Sequence, residues 1–218
     1  MRNSETDGTR RPRGRPKDDA LRLRILKFAT DFFLKHGYQA VSMDAIAEAA
    51  SVSNRTVYSH FENKERLLAA VFRHAAERLR PQFSEKAINT SSEFQSALQS
   101  FGEQFVGLLT HPTINGMGRV MIEEARRHPG MAKEFYAWGP TQTENQLVDF
   151  IELGKQRGWL VAADSRLAAQ QLLALWQGTW HFKQQLDLAK KLSPKKIEAH
   201  VKESLQLFFE GVGRRKSY

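Results

Sequence analysis

There is no cysteine anywhere in the 218 residues, which excludes a disulfide framework, a thiolate redox switch and any zinc site built on sulfur. No apolar run approaches the ~20 residues that a membrane-spanning helix requires. The N-terminus is polar and basic and carries no apolar stretch of the kind that directs export, so a cytoplasmic protein without membrane attachment is expected. Runs of alternating β-branched residues long enough for a sheet are missing as well. So are the signatures of the commoner enzyme sites: there is no Gly-x-Ser-x-Gly elbow, no P-loop and no His-Glu-x-x-His. Gly116-Met117-Gly118 lacks the third glycine and the preceding strand of a dinucleotide site. The seven histidines show no metal-ligand spacing. Neither catalysis, nor a bound metal, nor a cofactor is expected. Glu123-Glu124 beside Arg126-Arg127 reads as a solvated charged face rather than an acid/base pair.

What is present is an apolar fraction of 41%, enough for a sizeable core, and a formal net charge of +9. That excess favours a polyanionic partner. It is unevenly spread: residues 1–80 hold 16 Lys and Arg against 10 Asp and Glu, a net +6, and residues 81–218 hold 17 against 14, a net +3.

Along the chain, apolar residues recur at helical spacing from Leu21 through Ile25, Phe28 and Phe32 to a stop at Gly37. Ser42 is placed to cap a short second helix ending near Ala49, Ser53 a third with Val57 and Phe61 inward, and Asn63 a fourth running towards Pro81. Beyond it the pattern stays helical. A capping box is expected at Ser92 and Gln95 ahead of a helix stopped by His111-Pro112. Further helices are expected from Met117 to His128, from about Met131 to Gln156 with Pro140 as kink or start, from a cap at Asp164 to Leu188, and from Ser193-Pro194 to Gly211. The fold class is all-α.

Two short helices joined by a tight turn, with a polar first turn on the second, form the surface a major groove accepts. On the third helix Asn54, Arg55 and Thr56 are candidates for base edges, Asn pairing typically with adenine and Arg with guanine. Tyr58, His60 and Lys64 are candidates for phosphate donors alongside Ser42 at the start of the second helix, and Ser53, the cap of the third, is a further DNA-binding candidate. The plainer alternative is that Asn54 and Thr56 complete a cap and that Tyr58 and His60 pack on a neighbour.

Val52, Ser53, Thr56, Tyr58, His60, Phe61, Lys64 and Glu65, in the string VSNRTVYSHFENKERLL, resemble the recognition segment of the TetR family of transcriptional regulators, and FATDFFLKHGYQAVSMDAIAEAA resembles that family's first two helices. The similarity covers roughly residues 18–72 and differs at two places: Ser51 stands where the family usually has glycine, and Arg55 where a small residue or proline is common. Ser51 must then reach a left-handed conformation, and Arg55 suggests a base contact of its own. The later IEEARRHPGMAKEFYAWGP and LLALWQG are similar to the ligand-binding domain of AefR-type members. The resemblance implies a homodimer, formed through a four-helix bundle of the last two long helices, that responds to a hydrophobic or amphipathic small molecule.

The expected organisation is a disordered basic arm over residues 1–17, a helix-turn-helix domain over 18–63, a helical ligand-binding and dimerisation domain over 64–213 and a basic tail over 214–218. Within the arm, Pro12-Arg13-Gly14-Arg15-Pro16 resembles an AT-hook core, which would place Arg13 and Arg15 in an A·T minor groove; a solvated tail adding nonspecific attraction is the alternative. Phe101, Phe105, Met117, Met121, Phe135, Trp138, Trp176, Trp180 and His181 are candidate pocket residues, although for any one of them a place in the core is the commoner fate. The functional expectation is a repressor that binds a near-palindromic double-stranded operator and is released by an inducer. The competing expectation is an A·T-preferring DNA-architectural protein without inducer.

Overall fold

The computed structural model describes residues 15–77, 79–83, 88–162 and 164–213. Among these the chain forms ten α-helices and no strand: α1 (Arg15–Ala40), α2 (Met43–Ala49), α3 (Asn54–Phe61), α4 (Lys64–Glu77), α5 (Ser91–Thr110), α6 (Pro112–Glu124), α7 (Pro129–Trp138), α8 (Pro140–Gln156), α9 (Ser165–Gln185) and α10 (Pro194–Gly213). Most of the expected basic arm, Arg13 included, and the tail over 214–218 lie outside the described residues. The last three residues assigned to the arm belong to α1.

Local chemistry sets the boundaries. The regular part of α1 stops at Gly37 (φ 74°, ψ 168°), a conformation that only glycine adopts without strain. Ser42 accepts the N–H of Ala45, Ser53 that of Thr56 and Asn63 that of Arg66, so three side-chain oxygens satisfy the orphan donors opening α2, α3 and α4. Ser51 does take the left-handed conformation, at φ 51°. Four prolines, 112, 129, 140 and 194, stand at the first position of α6, α7, α8 and α10, where the missing N–H costs nothing. Proline therefore corrects two expected spans. The helix expected from Met117 begins at Pro112 and ends at Glu124, and the stretch from Met131 to Gln156 is two helices divided at Gly139. The capping box also sits earlier than expected: Thr90 accepts from Glu93 N, and the Glu93 carboxylate accepts from the N–H groups of Asn89 and Thr90, so Ser92 and Gln95 are inside α5.

Two apolar cores result. The first joins α1 to α4 through Ile25, Phe33, Val57 and Leu68, and takes in Met117, Val120 and Met121 of α6 and Met131 of α7. The second joins α5, α8, α9 and α10 through Leu98, Leu147, Leu172 and Val201. Its axis is a column of rings: Trp159 against Phe94, Phe94 stacked on Phe150 (4.8 Å), Phe150 on Phe83 (3.7 Å), Phe83 on Phe101 (4.3 Å), then Trp176 and Phe105. The line between residues 63 and 64 expected to separate two domains crosses the first core, since Leu67, Leu68, Val71 and Phe72 of α4 pack with α1.

α9 is broken at Gly178 (φ 55°, ψ −179°), where an added Cβ would meet the Trp180 ring at 3.0 Å. Near the break His200 Nε2 donates to the Trp176 carbonyl (2.9 Å) and Ser204 to the Leu175 carbonyl (3.5 Å), both from α10.

The first core is closed by a polar knot. Glu124, the last residue of α6, is only 1% exposed. It accepts from Gln39 Nε2 (2.6 Å) and Arg127 (3.1 Å), with His128 Nε2 at 3.6 Å. This corrects the solvated charged face expected around Glu123-Glu124, because Gln39 arrives from 85 residues away to cover the second carboxylate. His128 reaches Glu65 through Nδ1 (2.7 Å) and lies edge-on to Tyr38. Burial, reinforced by Glu65 and Glu124, pushes the Tyr38 phenol up to about 12. Over the Tyr38 ring sits the Lys64 ammonium, which donates to the carbonyls of Tyr38 (2.9 Å), Val41 (2.9 Å) and Gln39 (3.4 Å). Burial holds the Lys64 pKa below the ordinary lysine value, the charge on Glu124 acting the other way.

Two stability predictions follow from these positions, both measured by urea unfolding. Ser51→Gly is expected to stabilise by about 0.5–1 kcal/mol, relief of left-handed strain exceeding the added unfolded-state entropy. Lys64→Ala is expected to destabilise by about 2 kcal/mol, since an ion-to-carbonyl clamp is lost.

Candidate nucleic-acid interface

α3 is a short helix whose two inward residues, Val57 and Phe61, are one turn apart and seated in the first core. That anchoring fixes what faces outward. Asn54 and Arg55 in the first turn are exposed, and so is Tyr58, at 48%. None of these three side chains hydrogen-bonds or ion-pairs with the described residues. Their donors and acceptors are unspent, and the helix under them is held at both ends. Ser53 and Thr56 are committed differently. Ser53 Oγ caps the helix and shares a hydrogen bond with Thr56 Oγ1 at 2.8 Å, which leaves each hydroxyl part of its capacity. Ser42 is exposed at the head of α2 while capping it.

The other candidates are placed less freely. His60 is tucked in, its side chain 12% exposed, with Nε2 at 3.2 Å from the Asp18 carboxylate of α1. Lys64 was expected on phosphate. Its three donors instead meet the three carbonyls at the end of α1 and the turn after it, so its place in the structure is that of a clamp beneath the helix-turn-helix. Arg13 lies outside the described residues, and Arg15 opens α1.

A second feature lies at the other end of α4. A cavity of about 400 Å³ is lined by Phe72 and Ala76 of α4, Arg80 after it, Phe105, Leu108 and Leu109 of α5, Ile114 of α6, Phe135, Tyr136 and Trp138 of α7, Thr143 and Glu144 of α8, and Leu173 and Gln177 of α9. Of the candidate pocket residues it brings together Phe105, Phe135 and Trp138. The rest go elsewhere: Phe101 and Trp176 belong to the aromatic column, and Met117 and Met121 fill the first core. Trp180 and His181 follow the break in α9, stacked edge-to-face, and burial lowers the His181 pKa. Phe72, Tyr136, Leu173 and Arg80 are lining residues that the sequence reading missed. Phe72 alone offered a signal, as the last apolar position on a helix that leaves the DNA-binding end.

Comparison with known proteins fits both features. Residues 25–71 match the profile of bacterial regulatory proteins of the tetR family, and residues 96–211 match that of the AefR-like transcriptional repressor C-terminal domain. The chain is 42% identical over 60 residues to the uncharacterized HTH-type transcriptional regulator YdeS of Bacillus subtilis, covering 28% of this chain and 30% of that one. It is 32% identical over 104 residues to the HTH-type transcriptional activator FasR of Mycolicibacterium smegmatis, covering 48% and 47%. These matches span less than half of either relative. Among solved structures, the flavonoid-responsive regulator FrrA superposes with a TM-score of 0.76 at 30% identity, over 91% of this chain and all of that one. MexZ, a repressor of Pseudomonas aeruginosa, shares the fold at 22% identity and a TM-score of 0.68, over 87% and 95%. With an outward recognition helix, an all-helical body and two profiles that together span most of its length, the chain belongs to the TetR family of helix-turn-helix transcriptional regulators, with a C-terminal domain of the AefR-like type.

Proposed function

We propose that this protein is a cytoplasmic, ligand-responsive repressor that binds a near-palindromic operator as a homodimer and leaves it when a hydrophobic or amphipathic small molecule occupies the cavity. One observation carries the reading: α4 belongs to both sites. Its first residue, Lys64, clamps the turn that positions α2 and α3, and its third and fourth turns contribute Phe72 and Ala76 to the cavity wall. A ligand that prefers a different tilt of α4 therefore acts on the spacing of two recognition helices, ideally ~34 Å apart on successive major grooves. A ~100-fold release asks for about 2.7 kcal/mol of coupling.

Repression is supported by the AefR-like repressor profile, while FasR is named an activator. Ligand response is supported by FrrA, whose name gives it flavonoid responsiveness. The dimer is supported by apolar side chains standing in solvent on the last two helices, Leu167 of α9 and Leu207 of α10, the latter 61% exposed. They flank a groove with Val161 and Phe208, a patch of the type that self-association covers. The architectural alternative has no use for an aromatic-lined cavity.

The decisive experiment is selection of bound sequences from a randomised duplex library at a stated, physiological salt concentration. A near-palindromic motif is expected; A·T enrichment without symmetry would refute the reading. On single-base operator variants, Arg55→Ala is expected to lose about 1–3 kcal/mol of discrimination at one position of each half-site, leaving the others unchanged. Leu207→Glu is expected to shift the sedimentation coefficient from dimer to monomer at micromolar concentration, and an unaltered dimer would place the interface elsewhere.

A further inference from the structure

The cavity wall is apolar except at a few points, and those points are not equivalent. Glu144 is answered on the spot: Arg166 donates to its Oε1 at 2.6 Å and Gln170 at 3.2 Å. The Thr143 hydroxyl donates to the Gly139 carbonyl. Arg80 is different. Its guanidinium lies over the Trp138 ring at 4.5 Å, and one amino group donates to the Trp138 carbonyl at 3.3 Å. No carboxylate of the described residues is within ion-pair distance of it, whereas its neighbours Arg66 and Arg73 share Glu134. Arg80 is half-buried, so its charge is only partly hydrated. Of its five N–H donors, one is spent on the described residues.

We infer that the cavity takes an organic molecule with an aromatic or aliphatic body and one anionic head group, and that Arg80 is the residue that recognises the head, a specificity that rests on the reading of this cavity as the effector site. A guanidinium that lies over an indole and spends one amino group on a carbonyl keeps donors for a head group, and a carboxylate matches such donors with two parallel hydrogen bonds. An ammonium group would meet an uncompensated like charge, and a neutral amide would leave the guanidinium without a counter-charge. With Glu144 already paired with Arg166, Arg80 is left as the unbalanced positive charge among the described residues of the wall. The body of the molecule meets Phe72, Phe105, Leu109, Phe135 and Leu173, and about 400 Å³ falls within the range of small-molecule sites.

The test titrates the full chain by calorimetry with two matched sets: biphenyl-4-carboxylate, its carboxamide and its methylammonium analogue, and dodecanoate, dodecanamide and dodecylammonium. In at least one set the acid is expected to bind at least about tenfold tighter than the amide, and the ammonium weakest, which is the ratio a charge-assisted hydrogen bond supplies. Arg80→Met should bring acid and amide to parity. Arg80→Lys, which keeps the charge and is the control should Arg80→Met fail to fold, should keep an intermediate preference for the acid. Equal affinity for acid and amide, or tightest binding of the ammonium, overturns the anionic head while the effector cavity stands. If no compound of either set binds at millimolar concentration and none changes operator affinity, the effector reading falls with it.

Discussion

A carboxylate taken out of water must be matched by donors and opposite charge, and Glu124 imposes that requirement at the junction of α1, α4 and α6. Gln39, Arg127 and His128 answer it from the end of α1 and the residues following α6. His128 passes the demand on to Glu65 in α4. Three helices that already share the first apolar core are thereby also linked by polar geometry, which tolerates little displacement. Lys64 completes the joint by spending a cation on backbone carbonyls, and the helix-turn-helix rests on that clamp.

This arrangement explains why the molecule does not divide at a linker. α6 gives its buried face, Met117, Val120 and Met121, to the core beneath the recognition helix, yet Ile114 near its start borders the cavity. α4 does the same in the opposite direction. Both helices are members of two neighbourhoods, bordering the cavity at one place and packing in the core beneath α3 at another.

The parts legible in the sequence were those written in local chemistry. Caps at Ser42, Ser53 and Asn63, the stop at Gly37 and the left-handed Ser51 each depend on residues within a turn of one another, and each stands where the residues placed it. Errors of span came from competing local signals: Ser92-Gln95 has the spacing of a capping box, but Thr90-Glu93 has the same spacing two residues earlier, with Glu in place of Gln. What could not be read was anything decided by distant partners. Glu124 looks like its solvated neighbour Glu123 until Gln39 covers it. Lys64 looks like a phosphate ligand until the end of α1 folds beneath it. Phe101 and Phe105 are one turn apart on α5 and chemically identical, yet Phe101 lies within the stacked column and Phe105, at its end, forms cavity wall.

The break in α9 bears on how force travels. An unbroken helix is a stiff rod whose two ends share one axis, and a push on one end is delivered at the other. Here the segment before Gly178 borders the cavity with Leu173 and Gln177, and the segment after it grips α6 through Gln185 to Asn115 and through the Gln184 carbonyl to Arg119. The two segments have separate axes, and α10 holds the first of them through His200 to the Trp176 carbonyl and Ser204 to the Leu175 carbonyl, both ahead of the break. With one segment held by α10 and the other by α6, a push on the cavity side is not delivered along a single rod, which makes the joint a compliant one.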